Sequence, residues 1–239
     1  MRRPDGHDIR SVTACQFSTT AASRSNTRHE KSGSVRPLST PPSTSGSPHA
    51  AISPPSPWVA RFAPLVPTGG TVLDLACGSG RHLRLFQARN HPVVGLDRDL
   101  RGVADLSGTA GVELVEGDLE SGAPVPLLRD RRFAAIVVTN YLHRPLFPAI
   151  LDALEPGGLL LYETFALGNA RFGRPASPAF LLRSGELLEV ARGRLQVVAY
   201  EHGEVASPKA AVMQRLCAVK DLEAGHDLDG DPEPRPLPA

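Results

Sequence analysis

Lysine occurs only at positions 31, 209 and 220 of the 239 residues, and cysteine is equally scarce. Cys15, Cys77 and Cys217 are odd in number and far apart. They form neither a disulfide framework nor a metal-binding spacing, and they fit a reducing, cytoplasmic setting. Long apolar runs are missing too. None approaches the roughly 20 residues a membrane-spanning helix needs, and Met1 is not followed by a charged-then-apolar leader. A soluble protein is expected. Net charge is nearly absent, at +1 overall and +2 over residues 58–220. That segment lacks the basic surface on which long nucleic-acid contacts depend. No internal repeat is visible.

What charge there is collects in the tails. Residues 1–57 carry seven Lys/Arg against three acids, together with twelve Ser, six Thr and eight Pro. Almost no large apolar side chain is present to offset ordering entropy, so disorder is expected. The composition suits an organellar transit segment or a start codon set too far upstream, and the second reading is preferred. Residues 221–239 hold six acids and one Arg among several prolines and read as an acidic disordered tail. One domain, over residues 58–220, remains between them.

Within this domain short apolar runs alternate with amphipathic segments. Thr71–Leu75, Val93–Leu96, Val112–Val115, Ala134–Thr139 and Leu159–Thr164 are continuous apolar runs, as buried parallel strands require. Gly80–Ala88, Leu100–Leu106, Leu146–Leu154 and Arg183–Ala191 are the helices expected between them. The third should stop at Glu155-Pro156-Gly157-Gly158, because proline cannot continue a helix. Leu195–Tyr200 and Ala211–Lys220 flank a Gly- and Pro-containing stretch and pair as a hairpin. The expected fold is α/β and Rossmann-like: doubly wound, with a mostly parallel seven-stranded sheet and an antiparallel edge hairpin.

The first strand runs into Ala76-Cys77-Gly78-Ser79-Gly80 and then a helix, so a small-residue turn occupies the carboxyl edge where such sheets bind ligands. The dinucleotide fingerprint wants a third glycine three residues further on, where Leu83 stands. No Tyr-x-x-x-Lys pair is present either, which argues against a nicotinamide reductase. Asp74 would repel a pyrophosphate but suits a cation or an amino group. Asp97, 23 residues after Asp74, ends the second strand and can accept from two ribose hydroxyls. Asp118, followed by Leu119, succeeds the third and can accept from an adenine amine. Each aspartate alone could instead cap the turn that follows it.

Val72-Leu73-Asp74-Leu75-Ala76-Cys77-Gly78-Ser79-Gly80 resembles the first motif of class I S-adenosylmethionine-dependent methyltransferases, with Ala76 where glycine is commoner. Gly95-Leu96-Asp97, Glu116-Gly117-Asp118-Leu119 and Leu154-Glu155-Pro156-Gly157-Gly158-Leu159 are similar to their ribose, adenine and fifth-strand motifs. Asn140-Tyr141-Leu142-His143-Arg144-Pro145 with Glu163-Thr164-Phe165 and Pro178-Ala179-Phe180-Leu181-Leu182 resembles small bacterial members of tellurite-resistance type. The resemblance implies S-adenosylmethionine as methyl donor, held by Asp74, Ala76, Gly78, Gly80, Asp97, Asp118 and Leu119. It leaves the acceptor open: a small molecule is expected, with RNA or a non-catalytic binding role as alternatives.

Methyl transfer from a sulfonium is a direct displacement that asks mainly for alignment and exclusion of water. Asn140, Tyr141 and His143 follow the fourth strand and are the catalytic candidates. Amine-methylating relatives carry an Asn-Pro-Pro-Tyr motif here, and the prolines are missing. His143 is either a general base or a cap for the following helix. Arg144, Arg171 and Arg174 are the candidates for holding an acceptor carboxylate or phosphate, against the plainer reading of the latter two as solvated loop charges.

Overall fold

The computed structural model describes residues 52–220 and 234–238. Seven strands form one sheet: β1 (Val72–Leu75), β2 (Val93–Asp97), β3 (Val112–Glu116), β4 (Phe133–Thr139), β5 (Leu154–Phe165), β6 (Gln196–Val205) and β7 (Ala211–Val219). Their order is β3-β2-β1-β4-β5-β7-β6, with β7 antiparallel to both neighbours and the first five strands parallel. The expected fold class is therefore the observed one. The chain leaves β1 toward β2 on one side and later returns to β4 on the other. Their carboxyl ends thus frame a crevice at the switch point.

Helices cover both faces. α1 (Pro57–Phe62), α2 (Arg81–Gln87) and a 3-10 segment over Leu100–Leu106 lie on one, where Trp58, Phe62, Leu83, Phe86 and Val103 meet Val72, Val137 and Leu161. α3 (Pro126–Asp130), α4 (Phe147–Asp152) and α5 (Glu186–Ala191) lie on the other, where Leu128, Ile150 and Leu187 meet Leu73, Ile136 and Tyr162. Alternate residues of each central strand serve opposite faces, which is why the apolar runs are unbroken. The edge strands β3 and β6 are only partly buried and correspondingly more polar.

Three expectations shift. The domain boundary moves upstream of Trp58: Ser56 is buried, and its hydroxyl accepts from the amides of Trp58 and Val59 as the N-cap of α1. The remainder of the expected N-terminal disordered segment, residues 1–51, lies outside the described residues, as do 221–233 and Ala239 of the C-terminal tail. The helix expected over Leu146–Leu154 ends earlier, at Asp152, and strand pairing resumes at Leu154. Pro156-Gly157-Gly158 then forms an irregularity within β5 rather than a turn before it: Phe133 pairs with Leu154, but Ala135 pairs with Leu159. Finally, Leu100–Leu106 winds as a 3-10 helix. Among the described residues no helix is long and apolar enough to cross a membrane.

Candidate active site

The turn after β1 requires unusual backbone. Ala76, Gly78 and Gly80 all take positive φ, at 58°, 55° and 71°. For Gly80 the need is double, since a Cβ would also meet Val103 Cγ1 at 2.5 Å. For Gly78 the space is open, with nothing within 4 Å of a Cβ position, so a ligand can approach the main chain there. Asp97 holds the turn in place. Its Oδ2 accepts from the Gly78 amide at 2.8 Å, and its Oδ1 accepts from the Asp99 amide at 3.1 Å. A carboxylate offers about four acceptor positions, so about two remain for outside donors.

Asp74 lies beneath this turn with 1% of its surface exposed, and its Oδ2 has no hydrogen-bond partner. Burial, opposed by Arg81 and reinforced by Asp97, pushes its carboxyl up to about 7. A buried carboxylate with an orphaned oxygen is an acceptor waiting for a donor, preferably a cationic one. Asp118 is exposed, and its Oδ1 accepts from the Glu120 amide at 2.9 Å, closing its own turn. Leu119 beside it is buried in the core.

Beyond β4 the chain turns sharply at Asn140, an exposed residue with φ of 55° whose amide donates to the Glu163 carbonyl at 2.8 Å. Tyr141 follows, with a buried hydroxyl that has no hydrogen-bond partner. Burial and the facing carboxylates of Glu120, Asp118 and Asp97 raise this phenol above its ordinary range. The Tyr141 phenol thus lies on the same sheet edge as Asp97 and Asp118. Tyr162 on β5, fully buried, donates to the Tyr141 carbonyl at 3.0 Å and fixes the turn from below. His143 is half-buried, and its side chain makes no capping bond to the following turn.

The arginines take other roles. Arg144 donates from Nε and Nη2 to both oxygens of Glu186, at 2.6 and 3.0 Å, and from Nη1 and Nη2 to the carbonyls of Ala179 and Leu181. Four of its five donors are thus engaged within the fold. Arg144, expected as a substrate-binding residue, clasps the loop after β5 to α5 through these bonds. Arg171 lies over the Phe172 ring and pairs with Glu204 of β6 on the exposed surface. Arg174 is exposed in the same loop.

Several residues were given no site role from the sequence. Glu163 is 6% exposed at the end of β5; its Oε2 accepts from the Ser56 hydroxyl at 3.0 Å and lies 2.8 Å from Arg215 Nε. Arg215 also reaches Glu201 at 3.0 Å. His82 on α2 takes the Ser56 amide on Nε2 at 3.2 Å and lies 3.9 Å from Asp74. An acid ending an apolar strand was the available signal for Glu163, and Ser56-Pro57 ahead of Trp58 was the one for the α1 start. Nothing in the sequence singles out His82.

Residues 49–211 match a family model described as a methyltransferase domain. No curated protein matches the chain. Solved structures share its fold. TehB from Haemophilus influenzae is 18% identical with a TM-score of 0.54, over 68% of this chain and 61% of that one. This chain thus spans less than two thirds of TehB. A TehB-like S-adenosylmethionine-dependent methyltransferase from Corynebacterium glutamicum is 22% identical with a TM-score of 0.50, over 69% and 88% of the two chains. An S-adenosylmethionine-dependent methyltransferase from Methanosarcina mazei is 16% identical with a TM-score of 0.54, over 72% and 100%.

Proposed function

Since this chain belongs to the methyltransferase domain family, we propose that it is a class I S-adenosylmethionine-dependent enzyme that methylates a small-molecule acceptor at the carboxyl edge of β1 and β4. The observation that carries the reading is the pairing of an orphaned buried carboxylate, Asp74, with an open glycine turn whose geometry Asp97 maintains. These residues fit the donor. Asp74 would take its ammonium, the free acceptor positions of Asp97 its ribose hydroxyls, and Gly78 leaves room for close backbone approach. Asp118 and the buried Leu119 would border the adenine.

When bound, S-adenosylmethionine supplies a methyl group on a sulfonium, activated without metal or covalent nucleophile. The chain's own part is to orient and to exclude water. Tyr141 presents an unpartnered hydroxyl that can donate to an acceptor or to the donor's polar groups. Asn140, held in its strained conformation by Glu163, offers an exposed amide side chain for orienting a nucleophile. His143, half-buried after β4, would take a proton from a hydroxyl or thiol acceptor. A small acceptor suits a domain of nearly neutral charge. A cytoplasmic setting is part of the proposal, consistent with the free thiols Cys77 and Cys217.

The test is incubation of the purified chain with isotopically labelled methyl donor and a metabolite mixture, alongside a bulk RNA arm. Label in a small molecule, lost in Asn140→Ala and Tyr141→Phe, is the expected result. Label in RNA alone would overturn the acceptor class.

A further inference from the structure

His82 lies on α2 just after the glycine turn, on the sheet face that carries Asp74, and is 1% exposed. Two groups address its ring from opposite sides. The Ser56 amide points at Nε2 from 3.2 Å, and Asp74 Oδ1 lies 3.9 Å from Nδ1. A backbone N–H can only donate, so Nε2 must present its lone pair. The proton of a neutral ring then sits on Nδ1, facing the carboxylate. Burial, with the Arg81 charge nearby, holds the imidazole well below its usual range, at about 3, so the ring is neutral near pH 7.

We infer that His82 is a positioning residue for the methyl-donor site: the Ser56 amide fixes its tautomer so that Nδ1–H faces Asp74, favouring the anionic carboxylate that a ligand ammonium needs. This rests on the reading of Asp74 as the ammonium-binding acid. The groups facing Asp74 are His82, Arg81 and the Leu83 amide from α2, Cys77 from the turn and Asp97 from β2. Burial and Asp97 oppose its ionisation, while Arg81 and the Leu83 amide favour it. An oriented N–H at 3.9 Å is too long for a direct hydrogen bond, but as a dipole in a water-poor site it acts on the same side as Arg81. Catalytic contacts are commonly long before ligand arrives and tighten with it.

The anchoring of Ser56 strengthens the assignment. Its hydroxyl donates to Glu163, which also meets Arg215. The residue that sets the tautomer is therefore tied to β5 near its end and, through Glu163, to the middle of β7, so that α1 capping, these strands and the donor site form one connected set. Displacing the cap would release the ring to its other tautomer, whose lone pair would then face Asp74 and repel the anion.

Two measurements test this. Nitrogen-15 NMR of histidine in the full-length wild type should show His82 with Nδ1 protonated, Nε2 bare, and no titration down to about pH 5. The opposite tautomer, or an imidazolium near pH 7, would overturn the inference. This arm needs no ligand, so its outcome is separate from that of the donor-binding reading. The second is calorimetry with S-adenosylhomocysteine between about pH 6 and 8.5 on wild type, His82→Asn and His82→Gln, with thermal unfolding confirming that each variant folds. Asparagine keeps a donor near the Nδ1 position; glutamine keeps an acceptor for Ser56 but loses that donor. Asparagine should retain the wild-type pH profile. Glutamine should move its midpoint upward by about one unit, so that binding is about tenfold weaker at neutral pH and recovers in alkali. Identical profiles for all three proteins would overturn the role of His82. Absence of binding by wild type would instead overturn the donor-site reading beneath it.

Discussion

Asp97 and Ala76 carry the sharpest consequences at the scale of single residues. Replacing Asp97 by Ala strips the Gly78 and Asp99 amides of their acceptor and removes the ribose partner. At about 1.5–3 kcal/mol for hydrogen bonds to a charged group, S-adenosylhomocysteine should bind at least about tenfold more weakly by calorimetry. Ala76→Gly should do the reverse for stability. An alanine at φ of 58° is strained by roughly 1–2 kcal/mol, only partly offset by the greater freedom of glycine in the unfolded chain. Denaturant titration should show a gain of up to about 1 kcal/mol. Asp74 and His82 make opposing contributions to pH dependence. The Asp74 carboxyl is raised in the fold from 3.8 to about 7, so its contribution to stability declines as pH rises through that window. The His82 imidazole is lowered from 6.5 to about 3, so its contribution is lost as pH falls through that one. Between about pH 4 and 6.5 the two slopes run in opposite directions. Affinity for a cationic ligand has no such cancellation and should rise as pH increases through about 7.

Joints between strands and helices are held by side chains that reach across the fold. Lys220, just past β7, donates from Nζ to the carbonyls of Leu151, Asp152 and Leu154 at 2.9, 3.2 and 2.9 Å, closing the C-terminus of α4. Lys220→Met should therefore cost about 1–3 kcal/mol in denaturant titration while leaving S-adenosylhomocysteine affinity unchanged. Arg144→Lys tests the clasp on Glu186 in the same way, because a lysine cannot reproduce the bidentate fork. These joints also show what the sequence could disclose. The central strands were legible because burial on both faces demands continuous apolar runs, and Asp97 because it closes one of them. Arg144 and Lys220 were not, because their partners stand 42 and 66–69 residues away and no local pattern announces the pairing. The α4 to β5 junction misled for a related reason: Pro156-Gly157-Gly158 reads as a turn, and only pairing of Leu154 with Phe133 shows that the strand has already begun.

For the whole molecule, topology is the organising fact. A parallel sheet that reverses at β1 brings the ends of β1, β2 and β4 together. Three acids and a glycine turn separated by up to 44 residues in the chain consequently stand along one carboxyl edge of the sheet. The folded unit begins earlier than composition suggests, because Ser56 ties the entry of α1 to Glu163. It also receives the C-terminal residues, through Arg61 donating to the Pro238 carbonyl at 3.1 Å. S-adenosylmethionine is the ligand proposed for this edge of the sheet, and titration of the full-length protein with that compound in a calorimeter decides whether it binds. Saturable one-to-one binding that Asp97→Ala weakens at least about tenfold is expected; no heat of binding with a folded wild-type protein, or equal affinity in the variant, would overturn the proposal.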